Sequence, residues 1–555
     1  MTIGIVGHRD IPDDHEVPDG GVAAVSEQVI AVVSHYRRTY PNTPVLLLTS
    51  LAEGADQIAA RACAGLGDKN VAIVAVLPMP QQEYERDFTE PGTLDSFRGL
   101  LDTAAAVVIG DRRELADGDA PVTVQGAPDR AAAYQSCARF ISRQSHVLIA
   151  LWDGQRGQAK PGGSADTVNY RLSSGVGMSE IDDQPQLWPK ERGILIHVPS
   201  RRRRHRDAPR SVTGQEVSAP QLVHDVEDNE PWTGQADEIA RRIDEANIRI
   251  ARETAPTSLT RSVKGFASRS ASAAQVRFRS CSAWVLVTAV AGLAVVDLEL
   301  NFRSGWLAGA AVALFALSVG IWFGMGRRRI KSRFQQSRAL AEGARVQQMW
   351  LESSINLCAA DFYLVNQPDV AWIRRLLRSA WLVDRIAAAG APAREPSLEP
   401  ARTWMTAQRD YFAGSAKSRG AIKRSARGAR RYARLTRLGV VVALVGISSD
   451  LLNFWPRLDA PELVLLAGQS LWGLGLGTAA ASTAYGQLMA FRESGRQYAI
   501  SLEHFDVGLR LLDDALAGED PVRRGSVIVN GVAIHALGET SSWFALNYDR
   551  SVRPI

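Results

Sequence analysis

Cysteine is scarce in this 555-residue chain: Cys63, Cys137, Cys281 and Cys358 are scattered, with no C-x-x-C pair and no histidines nearby at ligand spacing. That pattern argues against a disulfide framework or a cysteine-based zinc site, so no metal ligands are expected. The opening residues, MTIGIVGHRD, lack a basic region followed by a long apolar run. A cleaved signal peptide is therefore not expected, and the first domain is expected to start in the cytoplasm. The formal net charge is a modest +5, and the arginines behind it cluster beside apolar segments. This points to membrane topology and anionic lipid, with no nucleic-acid partner expected. A chain of this length exceeds one ordinary hydrophobic core, so at least two structural units are expected.

Short apolar runs rich in β-branched residues occur at residues 2–6, 45–49, 71–77, 104–109, 146–151 and 194–198. They read as buried parallel strands. Helix-compatible stretches between them, such as 22–38 and 54–65, give the β-α-β alternation of a Rossmann-like, doubly wound α/β domain over residues 1–205. From Arg201 the texture turns basic and then acidic around 223–232, and residues 206–260 read as a linker with a helical lead-in.

Beyond the linker the chain reads as an all-α membrane domain with four transmembrane helices in two hairpins. Residues 306–325 carry no charge, enough to cross about 30 Å of hydrocarbon at about 1.5 Å per residue. With the preceding apolar stretch at about 282–300 they form a first hairpin inside a segment from 261 to 355. A second pair, at about 438–455 and 463–485, falls within 437–485 and repeats the DL…NF pattern of the first turn, which suggests an internal duplication. Residues 356–436 and 486–555 read as cytoplasmic helical segments. Arginine and lysine flank both hairpins while the turns hold only Arg303 and Arg457, so a multi-pass inner-membrane protein with both termini cytoplasmic is expected. Glycine pairs at Gly305/Gly309, Gly320/Gly324 and Gly473/Gly477 offer close helix contacts.

Three elements follow strands, where a doubly wound sheet places its ligand. In GHRD, Gly7 permits close approach to an anion, and His8 and Arg9 offer donors to phosphate. In TSLAEGAD, Ser50 and neighbouring amides line a helix N-terminus, Gly54 permits close approach, and Glu53 and Asp56 could accept from a ribose hydroxyl or a base. A helix cap without a ligand is the alternative there. In the loop opened by Trp152 and Asp153, Gly162, Gly163 and Ser164 resemble an amide cradle.

GHRD after the first strand, SLAEGAD after the second and PGG before a helix together resemble the SLOG superfamily of Rossmann-like sensors related to LOG nucleosidases. The membrane portion resembles a SLATT effector module of bacterial conflict systems. The resemblance implies a receptor for a nucleotide-derived signal, made during phage infection, that gates membrane helices to permeabilise or depolarise the bilayer as a homo-oligomer. Where LOG nucleosidases carry a catalytic glutamate in PGGxGTxxE, this chain has Asn169, so nucleosidase activity of that type is not expected and no catalytic residue is assigned. Asp166 or Glu53 could substitute, which keeps open a membrane-tethered nucleotide hydrolase. A nucleotide-regulated channel or transporter unrelated to defence is the other alternative. No cofactor is expected beyond the nucleotide ligand itself.

Overall fold

The computed structural model describes residues 1–16, 21–109, 123–124, 127–128, 130–155, 160–173, 193–203, 207–211, 213–224, 229–234, 236–252, 258–363, 368–389, 396–415, 418–452 and 462–548. They fall into two compact units, one of Met1–Phe266 with Glu342–Glu395 and one of Ala267–Ala341 with Pro396–Ile555.

The first unit is built on a mixed, mostly parallel sheet. Its strands are β1 (Thr2–Gly7), β2 (Val45–Thr49), β3 (Val71–Leu77), β4 (Ala106–Ile109), β7 (Val147–Trp152), β8 (Ile194–Pro199), β9 (Gln221–Val223) and β10 (Asn229–Pro231), with a separate two-residue pair, β5 (Thr123–Val124) and β6 (Ala127–Pro128). The spatial order is β10-β9-β8-β7-β1-β2-β3-β4. The six strands from β8 to β4 are parallel, and β9 and β10 continue the edge antiparallel. Helices α1 (Val22–Thr39), α2 (Ala55–Ala64), α4 (Thr93–Thr103), α5 (Arg130–Gln144), α6 (Ser164–Leu172) and α7 (Glu238–Ile250) accompany the sheet, with a one-turn α3 (Gln81–Tyr84). Consecutive residues of β1 and β7 are buried, because residues on both faces of these strands are covered. That is why apolar runs, and not alternation, mark them in the sequence. Residues 221–223 and 229–231 carry no such run, since strands of only three residues offer too short a stretch for an apolar pattern to show.

A further helix, α11 (Pro368–Ala389), belongs to this unit. The Arg375 guanidinium donates to the Ser145 carbonyl at 2.7 Å, just past the end of α5, where helix carbonyls lack partners. Farther along α11, Asp384 accepts from Ser258 Oγ at 2.9 Å and from the amides of Leu259 at 2.7 Å and Thr260 at 2.9 Å. It thereby caps α8 (Leu259–Phe302) from a different helix.

The second unit is mostly helical. It contains the apolar part of α8, then α9 (Gly305–Arg327), the first half of α10 (Ile330–Glu352), α12 (Glu399–Ala413), the minimal strands β11 (Gly414–Ser415) and β12 (Ser418–Arg419), α13 (Ala421–Leu452), α14 (Glu462–Leu488), α15 (Phe491–Leu516) and α16 (Pro521–Tyr548). Among the described residues two helices are long and apolar enough to cross a membrane, Leu259–Leu300 and Gly305–Arg327. The count is two where the sequence reading expects four. Residues 453–455 of the third expected span lie outside the described residues, so the described part of α13 joins a basic half to a shortened apolar one, and α14, which covers the fourth expected span at 463–485, is not among the two.

Small residues set the helix spacing inside this unit. A Cβ on Gly439 would meet the Gly475 carbonyl oxygen at 2.6 Å, and one on Gly477 would meet Leu293 at 3.2 Å. A Cβ on Gly473 would collide with the carboxylate of Asp297. The Gly473/Gly477 pair is therefore a contact between α14 and α8 within the chain. Among the described residues nothing lies within 4 Å of a Cβ on Gly305, Gly309, Gly320 or Gly324. Forcing a side chain into a packed contact commonly costs about 1–3 kcal/mol. Gly439→Leu and Gly473→Leu should accordingly lower the thermal unfolding midpoint of the detergent-solubilised protein, whereas Gly320→Leu should leave it unchanged; equal midpoints in all three would remove these glycines from the packing account.

Candidate functional site

From β1 the chain proceeds outward through β2, β3 and β4, then returns across β1 to place β7 on its other side. The carboxyl ends of β1 and β7 are thus a topological switch point, where the connecting segments diverge and leave a crevice. His8 and Asp153 follow these two strands. The His8 amide donates to the Leu151 carbonyl at 3.1 Å, and His8 Nε2 lies 3.1 Å from Asp153 Oδ1 across the strand ends. Asp153 also accepts from the Gln155 amide at 3.0 Å. Burial pushes the Asp153 carboxyl up, but the hydrogen bond and charge of His8, the Gln155 amide and Arg202 together hold it below the usual carboxylate range. Below them, His197 on β8 is buried, with Nε2 2.8 Å from the Trp152 carbonyl, and burial lowers its pKa to about 4.

Arg9 is exposed beside this pair. Its guanidinium sits over the Tyr134 ring, 5.3 Å from the centroid, and donates to Tyr134 Oη at 3.0 Å. Tyr134 in turn donates to Asp87 at 2.5 Å, and Arg130 pairs with the same carboxylate. For Asp87, too, burial acts upward and is outweighed, here by the hydrogen bonds from Tyr134 and Arg130, so the carboxyl stays low. Burial and the bond to Asp87 raise Tyr134 to about 12. Sequence reasoning missed Asp87, Arg130 and Tyr134. They lie in helical segments with no motif, and only the return of α5 beside β1 brings them to the crevice.

The TSLAEGAD element reaches the same rim, but its carboxylates are engaged internally. Asp56 Oδ2 accepts from Thr49 Oγ1 at 3.0 Å, from the Ser50 amide at 3.0 Å and from Ser50 Oγ at 2.6 Å. Glu53 Oε1 accepts from the amides of Thr89 at 2.7 Å and Glu90 at 3.0 Å and from Thr93 Oγ1 at 2.9 Å. Both are buried, at 4% and 6% exposure, so they tie loops together in this state and do not project toward a sugar. Gly54 has φ +75°, and a Cβ there would collide with the carbonyls of His8 and Arg9. Gly7 is packed equally closely, against Ala55 and Leu151. These two glycines serve backbone-to-backbone approach between β1, β7 and the start of α2.

The third element opens α6. Asp166 accepts from the Gly162 amide at 2.9 Å, and the Gly163 amide donates to the Lys160 carbonyl at 2.9 Å. Gly162, at φ +72°, packs on the backbone of Tyr134 and Gln135, while Ser164 begins the helix. The tight turn is present, with two of its amides satisfied from within. The glycine intolerant of a side chain is Gly162; Gly163 has room for a Cβ apart from a 3.1 Å approach to the Lys160 carbonyl.

A cavity of about 290 Å³ lies elsewhere in this unit, lined by Tyr36, Leu222, Trp232 and Asp237 among others. It is remote from the strand ends that carry the motifs, and the sheet topology is the stronger guide to a ligand site.

The two depressed carboxyls give the crevice a pH dependence. Asp87 and Asp153 sit below the value of about 4 they would have unfolded, so the stability they lend is present above that pH and is lost as pH falls through their folded values. On acidification from pH 6 to pH 3 the unfolding midpoint of the full chain should fall, and the Asp153→Asn variant should show a shallower slope; parallel slopes would contradict this assignment.

Compared with known proteins, the chain matches no protein-family model and no curated protein.

Proposed function

We propose that this chain is a membrane effector whose first unit binds a nucleotide-derived signal at the switch-point crevice and whose helical unit responds by permeabilising or depolarising the bilayer. On this reading the first unit is a SLOG-like sensor, the helical unit is a SLATT-like module with four spans, and the setting is bacterial defence. The observation that carries the membrane half is exposure: only 17% of the apolar window is buried in each of the two candidate spans. A core helix of a soluble protein would be mostly buried; here Trp306, Val312, Val319 and Phe323 of α9 are 52–74% exposed. The sensor half rests on the exposed Arg9 guanidinium at the crevice. Glu53, Asp56 and Asp166 each already accept from two or more donors, which favours binding over acid catalysis.

The first unit contains a physical connection from crevice to membrane helix. Tyr134, which contacts Arg9, lies near the start of α5; Ser145, just past its other end, holds Arg375; and Arg375 shares α11 with Asp384, which caps α8. Alpha-5 spans about 20 Å, so a shift at one end is delivered as a shift at the other. A ligand biases the membrane helices only if it binds one arrangement of this chain of contacts better than another. Hairpins of two helices enclose no pathway alone, so several copies would assemble, and the open faces at Gly305, Gly309, Gly320 and Gly324 remain available for that.

Losing a charged donor to phosphate costs about 1.5–3 kcal/mol, so Arg9→Ala should weaken nucleotide binding by roughly tenfold or more in calorimetry. In proteoliposomes it should also lose nucleotide-triggered dye release. Asp384→Ala should retain binding and lose release. Leakage without nucleotide, or release unaffected by Asp384→Ala, would overturn the gating scheme.

Orientation follows from the arginines that flank the hairpins and are sparse in their turns. Ser304→Cys should react with an impermeant thiol reagent in intact cells above the wild-type background, and Ser551→Cys should not; the reverse pattern would invert the topology.

A further inference from the structure

Helix α13 presents two opposite faces. Ala421, Ser425, Gly428, Tyr432, Thr436, Gly439 and Ala443 form the packed one: Gly428 and Tyr432 meet Phe491 of α15, Thr436 Oγ1 meets Thr483 of α14 at 3.2 Å, and Gly439 meets Gly475. Lys423, Arg427, Arg430, Arg434 and Arg437 follow one another at steps of four, three, four and three. At 3.6 residues per turn they fall within an arc of about 80° on the opposite side. No aspartate or glutamate occurs from residue 411 to residue 449. Among the described residues none of Arg430, Arg434 and Arg437 has a carboxylate partner.

The same face changes character at one point. Immediately after Arg437 come Leu438, Val441, Leu444 and Val445, which are 55–58% exposed. A continuous helix that is basic and then apolar along one exposed stripe matches the change from headgroups to hydrocarbon. Arg434 lies about 4.5 Å and Arg430 about 10 Å along the axis from Arg437. All three are thus within about one Debye length of that boundary, whereas Lys423, about 20 Å away, is not.

We propose that Arg430, Arg434 and Arg437 form a binding surface for the phosphate headgroups of anionic phospholipid, so that the helical unit selects anionic over zwitterionic lipid. This rests on the membrane reading given above. Guanidinium forks suit phosphate oxygens, and burial of the far side of α13 fixes the direction in which they point. Attraction to an anionic leaflet accrues per basic residue near the surface, which makes a three-arginine stripe strongly salt-dependent.

The test uses the full chain in vesicles of phosphatidylcholine containing one-fifth phosphatidylglycerol, with trace spin-labelled lipid of either kind. Flotation first reports whether the protein stays with the vesicles. The motionally restricted signal should favour phosphatidylglycerol over phosphatidylcholine several-fold, and high salt should reduce the preference. The R430E/R434E/R437E variant should lose the preference, while R430K/R434K/R437K, which keeps the charge, should retain most of it. Helix content by circular dichroism, matched between variants, separates loss of the surface from loss of fold; should the charge-reversal variant be misfolded, single reversals at Arg434 and Arg437 should each lower the preference. A wild-type protein that floats without lipid preference overturns the proposal and leaves the membrane reading intact. Failure to float overturns both. A preference unchanged by charge reversal, or arginines that capture a labelled oligonucleotide in place of lipid, also overturns it.

Discussion

Parallel pairing of β1 with both β2 and β7 is the constraint on which the rest of the first unit depends. A strand with parallel neighbours on both sides needs crossovers over both faces, and those crossovers bury the strands completely. Once β1 is central, the connection from β4 must return across it, and the crevice between the β1 and β7 ends follows from that return. His8, Asp153, Arg9 and Tyr134 meet there as a consequence of topology, although residues 8 and 153 are far apart in the chain.

Close backbone approach at this point explains why the motif glycines are glycines. Gly7 and Gly54 admit no side chain because β1, β7 and the loop before α2 are already in contact. The carboxylates beside them then cap and tie these loops, as Asp56 does for Thr49 and Ser50. What remains outward-facing is cationic, chiefly Arg9, which suits an anionic ligand held by donors. Rigidity of the rim and the outward-facing charge of the candidate site are thus divided between neighbouring residues of the same motif.

The helical unit shows the same division between internal and external faces. On α13 the small and aromatic residues pack inward while the arginines and exposed valines lie opposite. Three glycine pairs look alike in the sequence, yet among the described residues only Gly473/Gly477 meets another helix of the chain. Spacing alone sets which residues share a face of one helix; the position of the partner helix sets whether that face is used.

The sequence by itself determined the six parallel strands, since apolar runs of β-branched residues announce doubly covered strands, and it determined an apolar helix over residues 306–325, since length and lack of charge are local properties. It also placed the candidate ligand residues at strand ends. Only the tertiary structure decided that Glu53 and Asp56 are turned inward, that Asp87, Arg130 and Tyr134 join the crevice, that β9 and β10 extend the sheet, and that Asp384 caps a helix more than a hundred residues away. Each of those depends on a hydrogen bond or contact between segments distant in the chain, and no local periodicity encodes such a pairing.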